Sequence, residues 1–91
     1  MAKKSRSPWD ASRRRVQKQL RLVRLEAGLT QWELAEKLRL DQSYVSRYES
    51  GDRRLDLVDI ALVCRACGTD LLTFVSSLDL AIFRRVPRKS R

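Results

Sequence analysis

The fold is decided by residues 31–50, QWELAEKLRLDQSYVSRYES. Just before this stretch, Thr30 begins the T-x-x-E pattern of a capping box with Glu33, in which both side chains accept hydrogen bonds at a helix start. Apolar residues then recur at helical spacing in both halves of the stretch. We therefore predict one helix over Gln31–Leu38 and, after a tight turn, a second helix over Gln42–Ser50.

The second of these helices has a polar outer face. Asp41 caps it, and Val45 and Tyr48 are spaced to point inward. The exposed side is left with Gln42, Ser43, Ser46 and Arg47. These side chains carry donors and acceptors that match base edges and phosphates. Two short helices with a tight turn between them and a polar second helix describe a helix-turn-helix.

Three further helices are predicted around this pair. The first begins after Ser12 and runs to about Ala27; the fourth follows its cap Asp56 and buries Ile60 and Val63, with Leu57, Cys64 and Cys67 nearby; the fifth follows its cap Asp70 and extends to about Phe83. No alternating run of polar and apolar residues is long enough to indicate a strand. The predicted fold class is therefore all-α, with five helices.

The positive charge of the chain lies at its two ends. The 91 residues carry a formal net charge of +9, yet residues 16–83 contain nine basic and ten acidic residues. Residues 1–15 contain six basic residues and one acid, and residues 84–91 contain five basic residues and no acid. We predict a basic arm over 1–11, a domain over 12–83 and a basic tail over 84–91. Such tails attract polyanions, with nucleic acid favoured and an anionic membrane surface as the alternative.

Several classes of function find no support in the sequence. The chain has no histidine, and Cys64 and Cys67 are its only cysteines, whereas a zinc site needs about four ligands. We interpret this C-x-x-C pair as two small apolar residues of the fourth helix, and we expect no metal, no cofactor and no enzyme activity. The longest apolar run, Ile60–Cys64, is too short for a membrane span, and the basic start has no secretory signal.

The fifth helix has more apolar residues than one core-facing stripe needs. The inward stripe consists of Leu71, Phe74, Val75, Leu78 and Ile82. Leu72, Leu80 and Phe83 fall outside this stripe, and we predict that they form a homodimer interface. The alternative is local packing of these residues on the first helix through Leu22 and Leu25.

Residues 31–50, with GLTQ before Trp32 and GDRRLD after Ser50, closely resemble the helix-turn-helix of the lambda-repressor-like (XRE-type) DNA-binding family. The positions that agree in register are Gln31, Leu34, Ala35, Leu38, Leu40, Val45, Tyr48, Glu49 and Gly51, and the likeness covers roughly Arg14–Phe74. The resemblance implies a transcriptional regulator of bacterial or phage type that binds double-stranded DNA, as a homodimer on a two-fold related operator. It also implies a cytoplasmic, nucleoid-associated protein without a membrane partner.

The resemblance implies a role for individual residues. Base contacts are expected from Gln42, Ser43 and Arg47, and backbone contacts from Gln31, Tyr44, Ser46, Arg53 and Arg54, with Lys3, Lys4 and Arg6 in the N-terminal arm. Gln31 is also placed to brace Gln42. Arg24 and Glu49 are expected to form a structural ion pair between the first and third helices.

Two departures from the family pattern and two alternative functions stay open at this point. Arg39 stands where the family usually has glycine, so we expect a strained left-handed backbone there. Trp32 is also unusual, and it packs either on the N-terminal arm or on the DNA backbone. The chain could instead be an antitoxin-like module that neutralises a protein partner and binds DNA secondarily. A third possibility is non-specific binding of RNA or membrane by the tails.

Overall fold

The computed structural model of the chain describes residues 9–80 and residue 83. These residues form five helices: α1 (Asp10–Glu26), α2 (Gln31–Leu38), α3 (Gln42–Ser50), α4 (Leu57–Ala66) and α5 (Leu71–Ser76). No strand occurs among them, so the predicted all-α class is confirmed for this part of the chain. The predictions for Lys3, Lys4, Arg6, Ile82 and the tail 84–91 lie outside the described residues.

The starts of α2, α4 and α5 are set by side chains that cap them. The Thr30 hydroxyl accepts from the Glu33 N–H at 3.1 Å, and the Glu33 carboxylate accepts from the Thr30 N–H at 2.9 Å, which is the predicted capping box. Asp56 forms a second box with its residue three positions on, and Asp70 accepts from the Thr73 N–H at 2.8 Å. Asp41 has the backbone conformation of an N-cap, but its side chain makes no capping hydrogen bond.

The start of α1 differs from the prediction. The helix begins at Asp10, so Ser12 lies in its first turn and does not cap it. The Asp10 carboxylate accepts a hydrogen bond from Arg13 Nη1 at 2.9 Å, one turn along the helix. A negative charge in the first turn also interacts favourably with the helix dipole, and both effects extend the helix.

The core lies where α1 and α4 cover the helix-turn-helix. Its buried members are Leu20, Leu34, Ala35, Val45, Tyr48, Val63, Cys64 and Phe74. The small side chain of Ala35 allows α2 to lie close to α3. Leu40 and Leu57 differ from their predicted core positions, since both are substantially exposed.

The turn between α2 and α3 has the predicted left-handed residue. Arg39 has φ 59° and ψ 41°, and it is the only non-glycine residue with positive φ among the described residues. This conformation lets the next residue, Leu40, donate its N–H to the Ala35 carbonyl at 2.9 Å, which closes the end of α2. A side chain in this region costs on the order of 1 kcal/mol relative to glycine.

The prediction that α5 extends to Phe83 is wrong, because the helix ends at Ser76. The Ser77 hydroxyl donates to the Phe74 carbonyl at 2.6 Å and thereby competes with the helical backbone hydrogen bonds. The Leu78 N–H then bonds to the carbonyl of Val75, three residues back, which tightens the last turn. Within residues 9–80, no helix is both long and apolar enough to cross a membrane.

Candidate nucleic-acid interface

The outer face of α3 presents polar side chains next to a buried anchor. Ser43 and Arg47 are exposed, and Gln42 and Ser46 are half-buried. Beneath them, Val45 and Tyr48 are completely buried and fix the helix to the core. The polar side chains therefore stand on a helix whose own position is set by packing.

A buried ion pair joins α1 to the end of α3, as predicted. Arg24 Nε lies 2.7 Å from Glu49 Oε2, and Arg24 Nη2 lies 3.0 Å from Glu49 Oε1. Arg24 Nη1 also donates to the Leu29 carbonyl at 2.8 Å. The side chains of Arg24 and Glu49 are only 7% and 4% exposed, and their hydrogen bond raises the pKa of Arg24 above its ordinary value. Both charges are therefore held by direct hydrogen bonds in the interior.

The ion pair continues into a chain of hydrogen bonds that reaches the outer face of α3. Gln31 Nε2 donates to Glu49 Oε1 at 2.9 Å, and Gln42 Nε2 donates to Gln31 Oε1 at 2.7 Å. The predicted bracing of Gln42 by Gln31 is thus present. The bond from Gln31 to Glu49 was missed in the sequence, although residues 31 and 49 both occupy family register positions. We call Arg24, Glu49, Gln31 and Gln42 the amide relay.

Tyr44 lies at the border of α3, apart from the amide relay. Its ring packs edge-on against Tyr48 with centroids 5.7 Å apart, and the Arg53 guanidinium lies 4.8 Å from its ring centre. Burial raises the pKa of the Tyr44 hydroxyl above its ordinary value. The contact with Tyr44 places Arg53 beside α3, so the chain after this helix carries its positive charge close to the outer face.

Three arginines converge on one cleft at the other end of α3. Arg13, Arg53 and Arg54 line a cleft of about 180 Å³ whose floor includes Leu55 and Ile60. The sequence predicted Arg53 and Arg54 as backbone contacts but did not single out Arg13. Its position in a helix one turn from Asp10 gave no signal that it would meet the segment after α3.

The two cysteines are located as predicted. Both are free; Cys64 is buried in the core and Cys67 is half-buried. Burial raises the pKa of the Cys64 thiol to about 11, which disfavours the reactive thiolate. No group of three or more potential metal-ligating side chains occurs within the described part of the chain.

The three predicted dimer residues do not share one environment. Leu72 is 81% exposed and Phe83 is 50% exposed, but Leu80 is only 3% exposed. The premise for Leu80 is therefore wrong: α5 ends before it, and the following chain returns Leu80 to the interior. Leu22 and Leu25, the alternative packing partners on α1, are both exposed.

The comparisons with known proteins agree with this geometry. The model of a helix-turn-helix domain family matches residues 18–73, while no curated protein matches the chain. An XRE-family like protein from Pseudomonas syringae pv. tomato has a similar structure, with a TM-score of 0.71 and 39% identity. That match covers 74% of this chain and 82% of the other.

Two other similar structures are regulators. One is the restriction-modification controller protein C.Esp1396I, a tetramer in complex with its natural 35 base-pair operator, at 30% identity and a TM-score of 0.65 over 70% of this chain and 84% of that one. The other is the clp gene regulator ClgR from C. glutamicum, at 31% identity and a TM-score of 0.64. That match covers 70% of this chain and 82% of ClgR.

Proposed function

The chain belongs to the lambda-repressor-like helix-turn-helix family of DNA-binding regulators, and we propose that it regulates transcription by reading double-stranded DNA with α3. The observation that carries this proposal is the amide relay, which holds Gln42 in place at the outer face of α3. A side chain that is ordered before binding loses less conformational entropy when it meets a base. A solvated surface glutamine has no need for such a support.

Base recognition is assigned to one side of α3. The major groove of B-DNA is about 12 Å wide and admits a helix. Gln42 can pair with adenine through two hydrogen bonds, Arg47 can pair with guanine in the same way, and Ser43 makes a lesser contact. Since Ser43 and Arg47 are exposed beside the half-buried Gln42, all three can meet base edges from one docked helix.

Contacts to the DNA backbone are assigned to the borders of α3 and to the tails. Arg53 and Arg54 follow the helix, and both are exposed. Gln31, Tyr44 and Ser46 can add hydrogen bonds to phosphates, and the cationic arm and tail add attraction that does not depend on sequence. The remaining N–H of the Gln31 amide is the group available for a phosphate, because its oxygen already accepts from Gln42.

A homodimer on a two-fold related operator completes the proposal. A single reading helix contacts too few base pairs to select one site among many competitors. Two-fold pairing places the two reading helices about 34 Å apart, which is one turn of DNA. Leu72 and Phe83 keep their assignment to the interface, and Val75, one turn from Leu72 and also exposed, extends the same stripe. The operator complex of the similar controller protein is a tetramer, which supports assembly of this chain on DNA.

Selection of bound sequences from random duplex DNA tests the proposal. We expect enrichment of one motif with two related halves whose centres are about one helical turn apart. Gln42→Ala and Arg47→Ala should each lose base preference at a different position within each half. Enrichment of no motif by the intact chain would refute sequence-specific reading, and a single asymmetric half would refute the dimer.

A further inference from the structure

We infer that Gln31 is a specificity-determining residue that acts through Gln42 and favours adenine over guanine. The buried Arg24–Glu49 pair fixes the direction of the Gln31 amide, and Gln31 in turn fixes the direction of the Gln42 amide. This inference rests on the proposed function, in which Gln42 contacts a base. It goes further because it names the base and assigns the choice to residues beneath the reading face.

The direction of the relay begins at Glu49. A carboxylate that is ionised beside an arginine can only accept hydrogen bonds. Glu49 Oε1 accepts from Arg24 Nη2 at 3.0 Å and from a Gln31 amide group at 2.9 Å. The Gln31 group at Glu49 must therefore be the NH₂, because an amide oxygen there would face a second oxygen with no proton between them.

Gln31 passes the direction on to Gln42. With its NH₂ turned toward Glu49, Gln31 presents its Oε1 to Gln42 at 2.7 Å. An amide oxygen only accepts, so Gln42 must donate from its own NH₂. Rotation of either amide by half a turn would break two hydrogen bonds in the case of Gln31 and one in the case of Gln42, and would bring like groups together.

The rest of the relay resists such a rotation. Arg24 cannot turn its guanidinium away from Glu49, because its third nitrogen donates to the Leu29 carbonyl at 2.8 Å. The Arg24 and Glu49 side chains are almost fully buried, so water does not compete for their hydrogen bonds. Gln31 is the first residue of α2, whose start is fixed by the Thr30 capping box.

The groups that remain on Gln42 match adenine. One N–H is used by Gln31, which leaves Oε1 and one N–H. Adenine presents N6–H as a donor and N7 as an acceptor in the major groove, and these complement the two remaining groups. Guanine presents two acceptors, O6 and N7, and would need two N–H donors from Gln42. The relay therefore leaves guanine with one hydrogen bond and a repulsion between two oxygens.

Reversal of the relay by one substitution tests this inference. In Gln31→Lys the ammonium only donates, so it bonds to Glu49 and to Gln42 Oε1, and the Gln42 NH₂ then faces the DNA with both N–H groups. The preference should shift from adenine toward guanine at the position that Gln42 reads. Gln31→Ala is the matched control, since it removes the brace without imposing a direction.

The measurement is the ratio of dissociation constants on duplexes with A·T or G·C at that position, at one salt concentration. The position is the one whose preference disappears in Gln42→Ala. We expect the intact chain to favour adenine by roughly tenfold or more, which is the range of a good bidentate contact. Gln31→Ala should reduce the ratio several-fold, and Gln31→Lys should reverse it. The added positive charge of lysine tightens binding to both duplexes alike, so it cancels in the ratio.

The controls separate the inference from the proposed function. If Gln42→Ala leaves every base preference intact, the reading role of Gln42 fails and the inference fails with it. If Gln42→Ala removes a preference but Gln31→Lys behaves as the intact chain or as Gln31→Ala, only the inference is overturned. Gln31→Arg, which also only donates, replaces the lysine variant if thermal unfolding shows that the latter does not fold.

Discussion

The helix-turn-helix and α5 were predicted with very different success. The bounds of α2 and α3 agree with the sequence prediction to the residue, whereas α5 ends at Ser76 and not at about Phe83. The helix-turn-helix is held by a capping box, a left-handed turn residue and the amide relay. The end of α5 has no glycine or comparable stop signal, and apolar periodicity alone extended it in the prediction.

The two regions also differ in how they meet solvent. The outer face of α3 is polar and its side chains are tied to one another, while α5 leaves Leu72 and Phe83 exposed without such ties. Specific reading of a base needs side chains in fixed positions, but an apolar interface needs mainly contact area. The difference is thus the one expected between a surface that reads DNA and a surface that meets a second copy.

The largest effect is expected from removal of Glu49. Glu49→Ala leaves the buried Arg24 without its carboxylate, and loss of one partner of such a pair costs about 3–5 kcal/mol of unfolding free energy. Leu72→Ala on exposed α5 is the control and should change the unfolding free energy by less than about 0.5 kcal/mol. Chemical denaturation measures both. Equal effects of the two substitutions would mean that the ion pair does not hold α3 as described.

A pair of leucines in the C-terminal region sharpens the comparison next. Leu80→Ala should lower the unfolding free energy by about 2–5 kcal/mol because Leu80 is buried within one chain. Leu72→Ala with Phe83→Ala should leave that free energy nearly unchanged but weaken self-association, by about 1.5–3 kcal/mol per buried side chain. Sedimentation at micromolar concentration and on DNA measures association. An unchanged dimer in the double variant would place the interface elsewhere.

The turn inside the helix-turn-helix offers a stabilising change. Arg39→Gly should raise the unfolding free energy by about 1 kcal/mol, because glycine adopts the left-handed conformation without the cost of a side chain. Arg39→Ala keeps that cost, and it should show little gain. If alanine stabilises the chain as much as glycine does, the effect comes from the loss of the arginine and not from backbone strain.

The smallest effect on sequence choice is expected from the tails. Deletion of residues 1–8, or of residues 84–91, should flatten the dependence of log K on log salt by up to about 0.9 for each basic residue that contacts DNA. The preferred sequence should survive both deletions, since α3 is intact. An unchanged slope in both deletions would show that the tails do not touch DNA.

The sequence predicted those features that have a local signal. Thr30 with Glu33 marks a helix start, and Arg39 occupies a turn position whose backbone conformation follows from its place between two helices. The burial of Leu80 and the packing of Arg53 on Tyr44 depend on how the chain returns after a helix ends, and periodicity carries no information about that. Likewise, the family register indicated the Arg24–Glu49 pair, but the bond from Gln31 to Glu49 follows only from the three-dimensional arrangement.

The central claim, that α3 reads base sequence, is tested most directly by Arg47→Ala. The affinity of the variant and of the intact chain is measured on the selected operator and on random duplex DNA at one salt concentration. Arg47 is exposed on α3, and loss of a bidentate contact to guanine should cost about 1–3 kcal/mol on the operator. We predict a much smaller loss on random DNA. Equal losses on both duplexes would contradict the account, because Arg47 would then contact phosphate only.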